Sequence, residues 1–203
     1  MGTCVTYIET NFLMSVATGR EPQGEDLLSI ASVSNRIMIP AVCYMEAFSA
    51  LEDERKRRNS FKNHLEQQIS QLRRDTTSHH AKSLLGRLEE SRLVSDRLLN
   101  DIQARLFQYV DRAPSVIDSI ELLPQVVKDS VNKVIIDDPT DNLILHIILD
   151  HARRTPSDAK ALLTGNYADF DTSDVRAALQ SVGINKYFRS VPNLIGWLGS
   201  LPN

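Results

Sequence analysis

The chain has 203 residues, 42% hydrophobic and 24% charged, with only 8 Gly and 8 Pro, which excludes a disordered or fibrous protein and suits one helix-rich globular domain over residues 1–203. No stretch approaches the roughly 20 apolar residues needed to span a bilayer and the N-terminus lacks the basic-then-apolar layout of a signal peptide, so a cytoplasmic protein with no membrane partner is expected. The net charge of -3 argues against coating nucleic acid through bulk electrostatics, but the charge is uneven: residues 51–112 hold 13 Lys/Arg against 10 Asp/Glu, a net +3, and the rest holds 10 against 16, a net -6.

Cys4 to Ile8 is a short apolar and β-branched run that stops at Glu9-Thr10-Asn11, the pattern of a buried strand followed by a helix start. Phe12, Leu13 and Val16 recur at helical spacing, and Gly19 with Pro22 supplies a stop. A second helix is expected from Glu25 to about Ser34, and Ile37 to Pro40 reads as the next strand, closed by a proline that cannot continue the ladder. Val42, Met45 and Phe48 follow at helical spacing and put Glu46 in the first turns of the next helix. Cys4 and Cys43 both sit in apolar runs, where a buried reduced thiol is the commoner fate.

From about Ala50 to Arg112 the pattern becomes long, charged and glycine-poor, which predicts a helical hairpin turning at Asp75-Thr76-Thr77-Ser78. Leu65, Ile69 and Leu72 mark one apolar stripe; Leu84, Leu88, Val94, Leu98, Ile102 and Leu106 mark another, packing the hairpin on itself or docking a partner. Pro114 and Pro124 punctuate shorter predicted helices, and Asp138-Pro139 opens a strongly apolar helix through Leu143, Ile144, Ile147 and Ile148. Ala159 to Thr164 is a candidate strand, Val175 to Leu179 a short helix, Lys186 to Phe188 a last strand, and Val191 to Leu201 a docked helix. Strands alternating with helices imply a parallel sheet, whose ligands bind outside the strands' C-terminal ends.

Four short acidic stretches stand at the edges of apolar runs: Glu9-Thr10-Asn11, Glu46 after Ile39-Pro40, Asp138-Pro139-Thr140-Asp141-Asn142, and Thr164-Gly165-Asn166 leading to Asp169-Phe170. Carboxylates held close together resist ionising together unless a divalent cation lies between them. This succession resembles the PIN-domain family of metal-dependent nucleases over residues 4–50 and about 128–201. The family pattern has an acid at the end of the first strand, a glutamate after a strand ending in Pro, an acid starting an apolar helix, and a Thr-Gly-Asn or Thr-x-Asp context before Asp-Phe. Residues 51 to about 127, the helical hairpin and its exit, have no counterpart in the minimal pattern and read as an insertion.

The resemblance implies a three-layer α/β/α fold with a central, mostly parallel sheet. It also implies a metal site of Glu9, Glu46, Asp141 and Asp169 that binds Mg²⁺ or Mn²⁺ and activates water against a phosphodiester. Hard cations of this kind take oxygen ligands and keep several waters. On that basis Thr10, Asn11, Thr164 and Asn166 are candidate supporting or phosphate-contacting residues. The expected activity is an endoribonuclease acting on single-stranded or loop RNA, of toxin-like or RNA-processing type, with RNA as substrate and a protein inhibitor or a second copy as further partners. Glu9 stands where the family usually has aspartate, and the extra methylene moves the carboxylate by roughly an ångström. The alternative is therefore a catalytically weakened scaffold acting as an RNA-binding or protein-interaction module.

Each of these residues also has a plainer reading. Asp141 could simply serve the helix N-terminus, Glu46 form a salt bridge, Glu9 be a solvated strand-end acid, and Asp169 cap a helix starting near Asp171; Asp137 or Asp138 stands in for Asp141 if the register is displaced. Arg55, Lys56, Arg57, Arg58, Lys62, Arg73 and Arg74 form a candidate nucleic-acid track. The competing reading is a solvated helix face paired with Glu52, Asp53 and Glu54. His146 and His151, five apart, do not share a helix face, and the sequence supports no zinc site.

Overall fold

The computed structural model describes residues 4–31, 35–157 and 159–201. Five parallel strands form one sheet in the order β3-β2-β1-β4-β5: β1 is Cys4–Ile8, β2 Asn35–Pro40, β3 Ile117–Ile120, β4 Ala159–Leu163 and β5 Lys186–Phe188. Helices cover both faces, giving three α/β/α layers. On one side α1 (Thr10–Ala17) packs with α3 (Val42–Leu72) and α4 (His79–Val116), and α2 (Gly24–Ser29) touches α9 (Val191–Leu198). On the other, α6 (Pro139–Arg154) lies against β2 and β3 with α5 (Pro124–Asn132) packed on it. The short α7 (Tyr167–Phe170) and α8 (Ser173–Gln180) connect β4 to β5. No described helix is long and apolar enough to cross a membrane.

The sheet is buried because helices close both faces, so β1 reads as a continuous run in which all five residues are buried. Tyr7, Ile8, Leu13, Ile37, Ile39, Leu106, Ile144 and Leu145 form the centre of the core, each with almost no exposed surface. Gly19 ends α1 with φ of 74°, a left-handed conformation that suits glycine.

Three sequence expectations change. The second helix ends at Ser29, and its expected terminus at Ser34 lies outside the described residues. Where short helices were expected after Pro114, α4 continues to Val116 and Ile117–Ile120 becomes an edge strand beside β2, with Ala41 N–H donating to the Ile120 carbonyl at 2.9 Å. Only Ile117 and Ile120 of this strand are buried, too short a pattern to announce a strand, and distant pairing decides it.

The third change lies in the hairpin. The buried or half-buried face of α4 runs through Ala81, Leu85, Leu88, Arg92, Ser95, Leu99, Ile102, Leu106 and Tyr109, an alternating 4-3 spacing like a coiled-coil seam. It faces Leu51, Arg55, Arg58, Lys62, Leu65, Ile69 and Leu72 of α3, spaced the same way. Leu84, Val94 and Leu98, expected in the stripe, are exposed, because the seam takes their neighbours Leu85, Ser95 and Leu99 instead. Ion pairs Lys62–Asp96, Arg92–Glu66 and Arg73–Glu89 cross the hairpin and match its antiparallel register. Its turn is closed by Asp75, whose Oδ1 accepts from the backbone N–H of Thr77 and Ser78.

The entry to α6 is built around Asn142, which is 3% exposed. Its Oδ1 accepts from Ile135 N–H at 3.0 Å and Ile136 N–H at 3.2 Å, and its Nδ2 donates to the Ser130 carbonyl at 2.7 Å. One amide thus ties the end of α5 and the following loop to the first turn of α6. Asn142→Ala strands these buried groups and lowers stability by about 3 kcal/mol. Denaturant midpoints of the two proteins check this, and equal midpoints would mean that the loop is held by other contacts.

Candidate active site

The strand order turns at β1. Chain segments lead outward from β1 through β2 to β3, then cross to β4 on its other side. Connections leaving β1 and β4 therefore diverge and open a crevice at the C-terminal ends, where ligands of such sheets bind. Glu9 follows β1 directly and Thr164-Gly165-Asn166 follows β4 directly.

Glu9 is 1% exposed. It is the N-cap of α1, with Oε2 accepting from Asn11 N–H at 2.7 Å and Oε1 accepting from Gly165 N–H at 3.0 Å. Both carboxylate oxygens thus bind backbone, one on each side of the crevice. Gly165 suits this closeness, since a Cβ there would lie 3.2 Å from Asn11 Cβ. Burial pushes the Glu9 carboxyl above its usual range, while bonds from Asn11, Gly165 and Thr164 pull it back and the Glu46 charge adds to the rise. The plain reading of a solvated strand-end acid does not describe Glu9.

Glu46 is half-buried on the second turn of α3 and accepts a short hydrogen bond from the Thr10 hydroxyl. It has no salt-bridge partner among the described residues. Behind it the free, buried Cys43 thiol is pushed up to about 12, chiefly by burial. Cys4 is likewise free and buried.

Asp141 lies in the first turn of α6 without capping it. The cap is Asp138, whose Oδ1 accepts from Thr140 N–H at 2.8 Å and Asp141 N–H at 3.0 Å. Asp137 is exposed. Nor does Asp169 cap the helix beyond it, since Thr172 caps α8 and Asp169 lies within α7. Asn166 joins the two acids: its Nδ2 donates to Asp141 Oδ2 at 2.8 Å and to Asp169 Oδ2 at 2.7 Å. The Thr164 hydroxyl in turn accepts from Asn166 N–H at 3.1 Å.

The electrostatic load falls on Asp141. Burial first, then the charges of Glu46, Asp138, Glu9 and Asp169, push its carboxyl up to about 7. The four sequence-selected acids therefore share one electrostatic environment. As the side chains stand, no group of three or more His, Cys, Asp or Glu among the described residues is gathered tightly enough to hold a metal ion. The donor chemistry still suits a hard cation. Asp141 Oδ1, Asp169 Oδ1 and Glu46 Oε1 accept no hydrogen bond from a described residue, so three oxygens from three elements are available.

Most of the basic run is occupied. Arg55 pairs with Glu52, Lys56 with Asp53, Arg57 and Arg58 with Glu54, Lys62 with Asp96 and Arg73 with Glu89. Arg74 alone of the seven has no carboxylate partner among the described residues. The histidines do structural work elsewhere, His146 Nε2 against the Lys133 carbonyl at 2.9 Å and His151 Nδ1 against the Tyr7 hydroxyl at 3.0 Å.

Comparison with protein families gives a match to the PIN domain over residues 6–170, most of the chain and a span containing all four acids. The chain belongs to the PIN-domain family. PIN domains are nuclease-type folds, and the parallel sheet with its acidic C-terminal crevice is this protein's version. Among curated proteins none matches the chain. Sequence reasoning passed over Asn142 and the bridging geometry of Asn166. Their signal was present, since Asn142 adjoins Asp141 and Asn166 stands three before Asp169, but an asparagine's partners are set by the tertiary fold.

The raised Asp141 carboxyl has a definite sign. Between about pH 4, where the unfolded group titrates, and about 7, the folded chain carries a proton that the unfolded chain has lost. This contribution to stability is full at low pH and is lost as pH rises through that window. Glu9 adds to it with the same sign. His151, held below its usual range mainly by burial, acts in the opposite direction near pH 6.5, so the difference between proteins is the cleaner quantity. Asp141→Asn in EDTA gains on wild type progressively from pH 5 to 8. Thermal denaturation across that range checks it, and a constant difference would show that Asp141 titrates normally.

Proposed function

We propose that this PIN-domain protein is a divalent-metal-dependent endoribonuclease that hydrolyses phosphodiester bonds of single-stranded or loop RNA. The observation that carries the reading is the crowding of negative charge on Asp141, whose carboxyl lies near 7 beside Glu46, Asp138, Glu9 and Asp169. A cluster of acids this unfavourable is relieved by a multiply charged cation.

Asp141, Asp169 and Glu46 would hold Mg²⁺ or Mn²⁺ through their free oxygens. When bound, such an ion lowers the pKa of a coordinated water and offsets charge on the scissile phosphate. The chain's own groups orient the ligands. The Asn166 amide holds Asp141 and Asp169 towards each other, the Thr10 hydroxyl steadies Glu46, and Glu9 fixes the β4–α7 loop by its bond to Gly165 N–H. The hairpin of α3 and α4, read as an insertion, would contribute substrate or partner contacts, with Arg74 its one free cation among the seven basic candidates.

One observation favours the weakened-scaffold alternative. Both oxygens of Glu9 are committed to backbone N–H groups, which leaves this acid a fastener more than a ligand. Glu9→Asp shortens the side chain and cannot keep both bonds without movement. A large gain in cleavage by that variant would indicate a degenerate site.

The test uses fluorescent single-stranded RNA, structured RNA and DNA with Mg²⁺, Mn²⁺ or EDTA. Wild type is expected to cut single-stranded RNA only with metal, and Asp141→Asn to lose activity on the order of a hundredfold or more. Cutting that survives in Asp141→Asn would expose a contaminant, and no cutting by wild type on any substrate would favour the scaffold.

A further inference from the structure

An aromatic side chain beside the acids is held outward in a defined orientation. Tyr167 opens α7, directly after Asn166 and two residues before Asp169, so it flanks the amide that joins Asp141 to Asp169. It is 39% exposed. The Arg189 guanidinium lies 4.4 Å from the centre of its ring, and its hydroxyl donates to the Arg189 carbonyl at 2.9 Å. Arg189 is itself anchored, with Nη2 donating to Asp171 at 2.6 Å. The ring is therefore braced by a cation and pinned at its hydroxyl, and little freedom is left to lose when a flat partner stacks on it.

The local charge suits a polyanion. Arg176 and Arg189 both pair with Asp171, so two guanidinium groups share one carboxylate beside an otherwise acidic crevice. Arg189 also borders a small depression with Asn11, Thr164 and Gly165, which places it next to the loop that Glu9 holds. Six of the hairpin's seven basic candidates, by contrast, are already paired within the hairpin.

We propose that Tyr167 is a stacking platform for one base of a single-stranded nucleic acid entering the crevice, with Arg189 bracing the ring and supplying positive charge to the strand's backbone. This deepens the nuclease reading and rests on it for the position of the scissile phosphate. An aromatic face accepts any base but only an unstacked one. The platform therefore selects single strands over duplexes while remaining tolerant of sequence, and it supplies substrate affinity and position without taking part in the chemistry.

The test measures binding of a fluorescent single-stranded RNA to the full chain by anisotropy, in Ca²⁺ and in EDTA, for wild type, Tyr167→Phe and Tyr167→Ala, with thermal melts to confirm folding. Tyr167→Phe keeps the ring and is expected within about twofold of wild type, whereas Tyr167→Ala weakens binding about tenfold. In a scan of single abasic positions, one position weakens wild type by a similar factor and leaves Tyr167→Ala unchanged. Equal affinity of wild type and Tyr167→Ala, an abasic effect of the same size in both, or failure of wild type to bind any single strand would overturn the proposal. The nuclease reading fails by a different result: RNA that binds through Tyr167 and is never cut, or cutting that Asp141→Asn does not diminish.

Discussion

The Glu9 carboxylate spans the crevice between two chain segments and spends each oxygen on a different backbone N–H, Asn11 on one side and Gly165 on the other. The geometry around the acids depends on this bridge. It sets the start of α1, and so the position of the Thr10 hydroxyl that holds Glu46. It also sets the first residues after β4, and so the position of Asn166, which gathers Asp141 and Asp169. The bridge is a buried carboxyl whose desolvation is offset in part by its hydrogen bonds, and that balance works only while both amides are in reach.

Around this bridge the electrostatics are lopsided. The acids crowd the C-terminal edge of the sheet, whereas six of the seven basic residues in the candidate track on the hairpin are paired with its own glutamates and aspartates. Such exposed pairs contribute little to stability, but they withdraw positive charge from any strand tracking along the hairpin. Positive charge near the crevice comes from Arg176 and Arg189 around Asp171, residues that lie at the far end of the sequence from the basic run. The hairpin's two helices are held together chiefly along their heptad-like seam.

Much of the fold was legible because it rests on local signals. Buried strands β1, β2 and β4 appear as apolar runs, and each stops where a polar residue or proline ends it. Pro124 and Pro139 mark helix starts where a missing N–H costs nothing. Strand β3 was not legible, because two buried isoleucines in four residues acquire their meaning only from pairing with β2. The hairpin seam differs for a related reason, as Leu84 and Leu98 stand next to the equally apolar Leu85 and Leu99, and only packing against α3 decides which of each pair is covered. At the site, the positions of the acids followed from strand ends and helix starts. What each acid does there did not: that Asp138 caps α6 and leaves Asp141 free, that Thr172 relieves Asp169 of capping, and that Glu9 is buried are consequences of long-range closure.

The central claim is that the crowded acids form a site for a divalent cation, with Asp141 giving up a proton when the cation arrives. Calorimetric titration of Mn²⁺ into the protein at pH 6, repeated in buffers of different ionisation enthalpy, counts the protons released on binding. The account predicts release of about one proton per ion at pH 6, set by an Asp141 carboxyl near 7, and almost none at pH 8.5. Binding at pH 6 with no proton released, or no Mn²⁺ binding at either pH, would contradict it.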